Sequence, residues 1–155
     1  MLATILIYIR TDESDFDRFA QAFFEALNVK HYQARESLHF GGAYYRFQLL
    51  GMDSLLFRNW DLDVGGPPVA ELEDYFYSLQ LNSDWDPVGL RSEDAENVLR
   101  PWLAQFLTLH LNVETATPSD PSVPENGDVL FFRKNPFYKP SQGMPAVLME
   151  RRVIS

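Results

Sequence analysis

Residues 40–63 constrain the fold of this chain most strongly, because they predict two apolar strands joined by a tight turn. The two strands, 43–50 and 54–60, are rich in Tyr, Phe and Leu, which suit a pleated, half-buried surface. The turn falls at residues 50–53, around Gly51. We therefore expect the middle of this stretch to form the core of a sheet.

Further strands are predicted along the rest of the chain. Residues 2–9 are almost continuously apolar, as expected for a strand covered on both faces. Residues 75–82 alternate in polarity and extend the first hairpin into an antiparallel meander. Residues 31–38, 129–132 and 146–154 are additional strand candidates.

A first helix is predicted to begin at Thr11 or Asp12, because acids in a first turn favour the positive end of the helix dipole. Its apolar residues recur at helical spacing and predict a packed aromatic face. That face consists of Phe16, Phe19, Ala20, Phe23, Phe24 and Leu27.

A second helix is predicted to begin at Ser92, a good N-cap residue. Pro101 lies inside its pattern and should kink or restart it, since proline lacks a backbone donor. Beyond Leu107 the apolar period changes towards two, which predicts a short strand over 109–113. The expected core stripe of the helix is Ala95, Val98, Leu99, Trp102, Leu103, Phe106 and Leu107.

These elements predict a single α+β domain over residues 1–155: a mainly antiparallel sheet of about five or six strands with two principal helices packed on it. Residues 115–127 contain three prolines and one large apolar residue, so we expect a long surface loop there. The apolar run 2–9 is too short to cross a bilayer and no basic region precedes it. We expect a cytoplasmic protein with no membrane partner.

The charge of the chain is strongly uneven. The net charge is −9; residues 1–128 hold 21 acids and 8 bases, whereas residues 129–155 hold 1 acid and 5 bases. Such an acidic body repels phosphate backbones, which disfavours nucleic acid, and suits a cationic partner. The alternative is that the acids only confer solubility.

No motif in the sequence identifies a catalytic or metal site. Cysteine is absent, which excludes disulfides, thiolate nucleophiles and cysteine-bound metals. His31, His39 and His110 have no metal-binding spacing, and the acids do not match a calcium-binding loop. There is also no phosphate-binding glycine pattern or nucleophile turn. We predict no cofactor, no metal and no catalytic residues.

Several acids instead stand beside aromatic residues. Tyr and Trp anchor protein interfaces, and surrounding carboxylates steer and pair with a basic partner. The alternative is that Trp60 and Trp85 belong to the core and their acidic neighbours face water. The predicted partner-binding residues are Trp60, Asp61, Asp63, Glu71, Glu73, Asp74, Asp84, Trp85 and Asp86.

The runs GGAYYRFQLLGMDSLLFRNWD (41–61) and LEDYFYSLQL (72–81), in a short, acidic, cysteine-free chain, resemble bacterial immunity proteins. These are the small inhibitors that neutralise toxins of contact-dependent inhibition and other polymorphic toxin systems. The resemblance implies binding, without turnover, of a cognate toxin domain, often a cationic nuclease, by covering its active site or substrate cleft. It carries over no individual site residue, and the basic segment 129–155 departs from it: that segment could pack on the chain's own acids or contact another part of the partner.

Two other functions stay open at this point. A small enzyme could use a carboxylate–histidine pair, for instance His39 with Asp61 or Asp63. A non-catalytic adaptor subunit of a stable oligomer is the third hypothesis.

Overall fold

The computed structural model describes residues 3–37, 42–58, 70–83, 98–120 and 127–154. This part of the chain forms two helices, α1 (Phe16–Ala26) and α2 (Arg100–Leu111), and one eight-stranded sheet. The strands are β1 (Ala3–Arg10), β2 (Tyr32–Ser37), β3 (Gly42–Leu49), β4 (Met52–Arg58), β5 (Tyr77–Ser83), β6 (Glu114–Pro118), β7 (Gly127–Lys134) and β8 (Val147–Ile154).

The strand order is β2-β3-β4-β5-β1-β6-β7-β8, and all neighbours are antiparallel. The predicted α+β class, with two helices packed on an antiparallel sheet, is therefore confirmed. The predicted count of five or six strands is too low, because the sheet continues through β6 to β7 and β8.

β1 is the centre of the sheet and pairs with β5 on one side and β6 on the other. Ile5, Ile7 and Ile9 are buried on the face that the helices cover. Leu6 and Tyr8 are buried in a second cluster on the opposite face. The continuous apolar run in the sequence thus reflects a strand covered on both faces, as predicted.

α1 covers the first face with the predicted aromatic residues. Phe16, Phe19, Phe23 and Phe24 are all buried, and the ring of Phe19 stacks on Tyr77 at 4.6 Å. The helix begins later than Thr11 or Asp12, because the side chain of Asp15 accepts the Arg18 amide at 3.2 Å and caps it.

α2 begins at Arg100, with Pro101 in its first turn, where a missing amide proton costs nothing. Residues 92–97, including the predicted N-cap, lie outside the described residues. Leu103 and Leu107 are buried as expected, but Val98 and Trp102 are exposed, which corrects the predicted core stripe. The helix continues to Leu111, so the predicted strand over 109–113 does not form.

β6 occupies the start of the segment that we predicted as a loop over 115–127. Its four residues from Thr115 to Pro118 are buried, and the register places them opposite β7. The Thr117 hydroxyl donates to the Leu6 carbonyl at 2.8 Å, which supplies a hydrogen bond that Pro118 cannot. Residues 121–126 lie outside the described part of the chain.

The second face of the sheet is covered in part by a short 3-10 turn, Ala70–Leu72. Leu72 and Tyr75 pack there with Phe131, Val129 and Ile154. Neither helix in the described ranges is long and apolar enough to cross a membrane.

Candidate functional site

Three of the nine predicted partner-binding residues fall in the described part of the chain. Glu71, Glu73 and Asp74 lie on or directly after the turn Ala70–Leu72, and all three are exposed. The other six residues lie outside the described ranges: Trp60, Asp61, Asp63, Asp84, Trp85 and Asp86.

The acidic turn, residues 71–76, is held in place by two buried side chains. Leu72 is fully buried, and Tyr75 is buried with its ring 6.1 Å from Phe131. The Tyr75 amide donates to the Leu72 carbonyl at 3.1 Å, which closes the turn. With Leu72 and Tyr75 directed inward, the three carboxylates are exposed to solvent together with Phe76, which is 48% exposed.

Arg10 neutralises part of this acidic surface. Its guanidinium lies 3.1 Å from the Glu114 carboxylate and 3.8 Å from that of Asp74. These side chains are roughly half exposed, so solvent screens the pairs and each contributes little to stability. Glu71 and Glu73 consequently provide the strongest negative charge of the turn.

The described residues that precede the other six predicted residues lie at opposite ends of β5. Arg58, the last described residue before Trp60, Asp61 and Asp63, pairs with Tyr77, which follows the acidic turn. Ser83, which precedes Asp84 in the sequence, lies at the opposite end of β5, six residues or about 20 Å away.

A cleft of about 510 Å³ borders the acidic turn and mixes charges of both signs. Arg152 lies over the Phe131 ring at 4.5 Å and donates to Glu150 at 2.9 Å. Burial, and then the nearby Glu114 carboxylate, raises the pKa of Tyr75 to about 12, so this phenol stays neutral at physiological pH. The described lining of this cleft brings together cationic, anionic and aromatic side chains, which are suited to recognition of a ligand.

The basic C-terminal segment is partly compensated by the chain's own acids. Arg151 is paired with Asp128 across β7 and β8, and Arg152 with Glu150 along β8. Arg133, Lys134 and Lys139 are exposed. This segment therefore adds only a local positive charge to an acidic body.

The carboxylate–histidine hypothesis cannot be placed on the described residues, because His39, Asp61 and Asp63 all lie outside them. His31 and His110 are both exposed, and the ring of His110 lies 4.3 Å from Phe106. Within the described ranges, no group of three or more His, Asp or Glu side chains could hold a metal ion.

A second depression, of about 670 Å³, lies at the edge strand β2 and is lined by Lys30, His31, Arg35 and Arg46. Its two arginines already have partners: Arg46 donates to Asp53 at 2.9 and 3.1 Å, and Arg35 donates to Gln33 at 2.6 Å. We assign no ligand to it.

Sequence reasoning missed an exposed aromatic flank on α2. Trp102, 52% exposed, stacks on Phe106 at 5.5 Å, and Phe106 in turn contacts His110. With Leu109 these residues form one wall of a groove of about 420 Å³ whose other wall is residues 145–147. The helical periodicity marked these residues as apolar, but an isolated sequence does not show that the sheet covers only Leu103, Ala104 and Leu107.

Comparisons of the chain with protein-family models, with curated proteins and with solved structures found no match.

Proposed function

We propose that this chain is an immunity protein that binds a cognate toxin domain and neutralises it by covering its active site or substrate cleft. The observation that carries the proposal is the acidic turn. It presents Glu71, Glu73 and Asp74 beside the exposed ring of Phe76, on a base fixed by buried Leu72 and Tyr75. Preformed turns of this kind lose little conformational entropy on binding.

The charge of the chain supports a basic partner. With a net charge of −9, the protein attracts a cationic domain over long range and accelerates its association. A toxin that acts on nucleic acid needs a basic cleft, and an acidic surface that occupies this cleft excludes the substrate both sterically and electrostatically. Exposed aromatic residues then provide contact area that is not screened by salt.

We propose Trp60, Asp61 and Asp63 as further contacts on the basis of their sequence, an aromatic residue beside two carboxylates. Asp84, Trp85 and Asp86 have the same pattern and are proposed as contacts on the same ground. The proposal needs no catalytic residue, metal or cofactor. The compartment that follows from it is the cytoplasm, where the toxin would act.

A matched pair of charge reversals tests the role of the acidic turn. The partner for this test is the C-terminal domain of a large secreted toxin, which the proposal expects to be encoded in the reading frame immediately upstream. We expect Glu71→Lys/Glu73→Lys to weaken binding of this domain by about tenfold or more at physiological salt, because it replaces local attraction by repulsion. Calorimetric titration measures the dissociation constant.

The control is Glu25→Lys/Glu36→Lys, which makes the same change in net charge at two exposed positions of α1 and β2. It should shift the dissociation constant by less than about threefold, since charges beyond about 10 Å are screened at this ionic strength. Equal losses in the two variants would show that only overall charge matters and would remove the acidic turn from the interface.

A further inference from the structure

We propose that β8 pairs with β8 of a second copy of this chain, antiparallel and centred on Arg151, so that the two sheets become continuous. The two copies would be related by a two-fold axis perpendicular to the sheet. This inference concerns the sheet edge opposite β2. Met149, Glu150 and Arg152 also line the cleft beside the acidic turn, so its test measures self-association of the chain in the absence of toxin. Two observations support the inference: the open edge of β8 and the order of the side chains along this strand.

β8 is an open edge in the described part of the chain, where it pairs with β7 alone. It spans eight residues, contains no proline, and has a regular register with β7 along its whole length. Met149 is 61% exposed and Val153 is 73% exposed. A long edge strand that exposes apolar residues tends to recruit another strand, because its backbone groups are unpaired. Natural proteins therefore usually protect such an edge.

The two faces of β8 carry different residues. Register with β7 places Met149 opposite Phe132 and Arg151 opposite Leu130, on the face that α2 covers. Glu150 and Arg152 lie on the other face, opposite Phe131 and Val129.

A two-fold axis perpendicular to the sheet keeps the same face of both copies on the same side. Directly opposite residues must therefore come from the same face of β8, so odd-numbered residues pair with odd-numbered ones and even-numbered with even-numbered ones. Centring on Arg151 places Glu150 opposite Arg152 of the second copy, twice, so that the Glu150–Arg152 pair within each chain faces the same pair of the other with opposite charges adjacent. It also places Met149 opposite Val153, twice. Opposite charges and apolar side chains in directly facing positions stabilise a strand pair.

The neighbouring registers lack this complementarity. Centring on Glu150 brings two carboxylates together and sets Met149 against Arg151. Centring on Arg152 sets Arg151 against Val153. In the favoured register the two Arg151 side chains meet at the axis, but each is already paired with Asp128 of its own chain.

The other edge strand, β2, offers no such register. Its only opposite charges, Arg35 and Glu36, are adjacent and therefore lie on opposite faces. A two-fold axis cannot place them opposite each other in a continuous sheet. The charges of β2 discourage edge pairing, whereas the order Glu-Arg-Arg in β8 favours a second copy.

A charge pair that can form only between copies tests the proposal. Met149→Glu and Val153→Lys should each raise the dimer dissociation constant about tenfold or more, because a charge then faces an apolar side chain. The double variant should return to within about threefold of the wild type, because the new carboxylate faces the new ammonium across the axis. Within one chain the two positions are about 13 Å apart, so they cannot pair there.

Sedimentation equilibrium measures these constants, with the wild type approaching twice the chain mass of 17.9 kDa at high micromolar concentration. Phe137→Glu is the control, since Phe137 is 75% exposed but lies outside β8, and it should leave the dimer unchanged. A wild type that stays at 17.9 kDa, or a dimer that neither single variant weakens, overturns the proposal.

Cysteine cross-linking tests the register separately, because the chain has no cysteine of its own. At the axis the two Cα atoms of position 151 would lie about 4.5–5.5 Å apart, within reach of a disulfide. The two copies of position 150 would be about 8 Å apart, beyond that reach. Arg151→Cys should therefore form a covalent dimer on mild oxidation and Glu150→Cys should not; the reverse result, or no cross-link in either, overturns the register.

Discussion

Tyr45 joins β3 to the first turn of α1 by one polar contact inside an aromatic cluster. Its hydroxyl donates to the Asp17 carboxylate at 2.6 Å, and its ring lies 5.4 Å from Phe16. Burial, followed by this carboxylate, raises the pKa of Tyr45 to about 12. The folded chain therefore holds the phenol in its neutral form more strongly than the unfolded chain does.

We expect Tyr45→Phe to lower the free energy of unfolding by about 1–2 kcal/mol at neutral pH, because it removes a charge-assisted hydrogen bond. Between pH 10 and about 12 the unfolded phenol ionises first, so wild-type stability falls over this window. The variant should lose less of its stability there, although Tyr75 and Tyr77, whose pKa values are also raised, keep some dependence. Urea unfolding at neutral and alkaline pH measures both effects.

Tyr138→Phe is the control for this prediction, since Tyr138 is exposed and should contribute little at any pH. The prediction fails if Tyr45→Phe and the wild type lose the same stability between pH 10 and 12.

The burial of helix residues could be predicted from the sequence only where the apolar side of the helix is no wider than the part that the sheet covers. On α1 the phenylalanines recur at helical spacing, and the sheet covers all of them. On α2 the apolar residues extend further around the helix than the sheet reaches, so Trp102 and Leu109 are exposed. Periodicity identifies which residues are apolar, but only the packing partner decides how many are covered.

At the scale of elements, the hairpin of β3 and β4 is the clearest success of the sequence pattern. Leu49 pairs with Met52, which leaves Leu50 and Gly51 as a two-residue turn. Both have positive φ, 55° and 75°, the combination that a type I′ turn requires. The other described non-glycine residues with positive φ are Asn28 and Asn112, so Leu50 is the one ill-suited to this conformation.

We expect Leu50→Asn to raise the free energy of unfolding by about 0.5–1 kcal/mol, because Asn-Gly suits a type I′ turn better than Leu-Gly. Leu50 is 46% exposed, so little apolar burial is lost. Thermal and urea unfolding measure the change. Leu50→Ala keeps the steric conflict and should not stabilise; a Leu50→Asn protein less stable than the wild type would show that Leu50 packs productively.

β6 illustrates where local patterns mislead. Its threonines and terminal proline are typical of a loop, yet Thr115 and Thr117 are fully buried. The Thr115 hydroxyl donates to the Ala104 carbonyl at 3.1 Å, and that of Thr117 to Leu6 at 2.8 Å. These partners lie in α2 and β1, so no reading of the segment alone could reveal why its polar side chains are tolerated inside.

At the scale of the whole molecule, the strand order depends on pairings between distant parts of the chain. Ile5 faces Leu81, and Tyr8 faces Ala116. Alternating polarity identifies a strand but does not show which other strand it pairs with. The sequence therefore predicted an antiparallel sheet but not the order of its eight strands. The position of the acidic turn follows from this order, because β5 beside β1 brings the preceding turn over the second face.

The candidate site could be predicted only in part for the same reason. Glu71, Glu73 and Asp74 were selected from the sequence by their charge and are exposed; their role in binding stays a prediction. Their partial neutralisation by Arg10 could not be foreseen, since Arg10 lies at the end of β1, far away in the sequence. The exposed aromatic flank of α2 and the open edge of β8 can be recognised only once the order of strands in the sheet is known.

Titrating the activity of the proposed toxin partner with the purified chain would test neutralisation itself. We expect toxin activity to fall in proportion to added chain and to vanish at one chain per toxin domain, because inhibition by binding consumes the inhibitor stoichiometrically. Inactivation of many toxin molecules by one chain would indicate an enzyme. Toxin activity that is unchanged at a large excess of the chain would contradict the proposed immunity function.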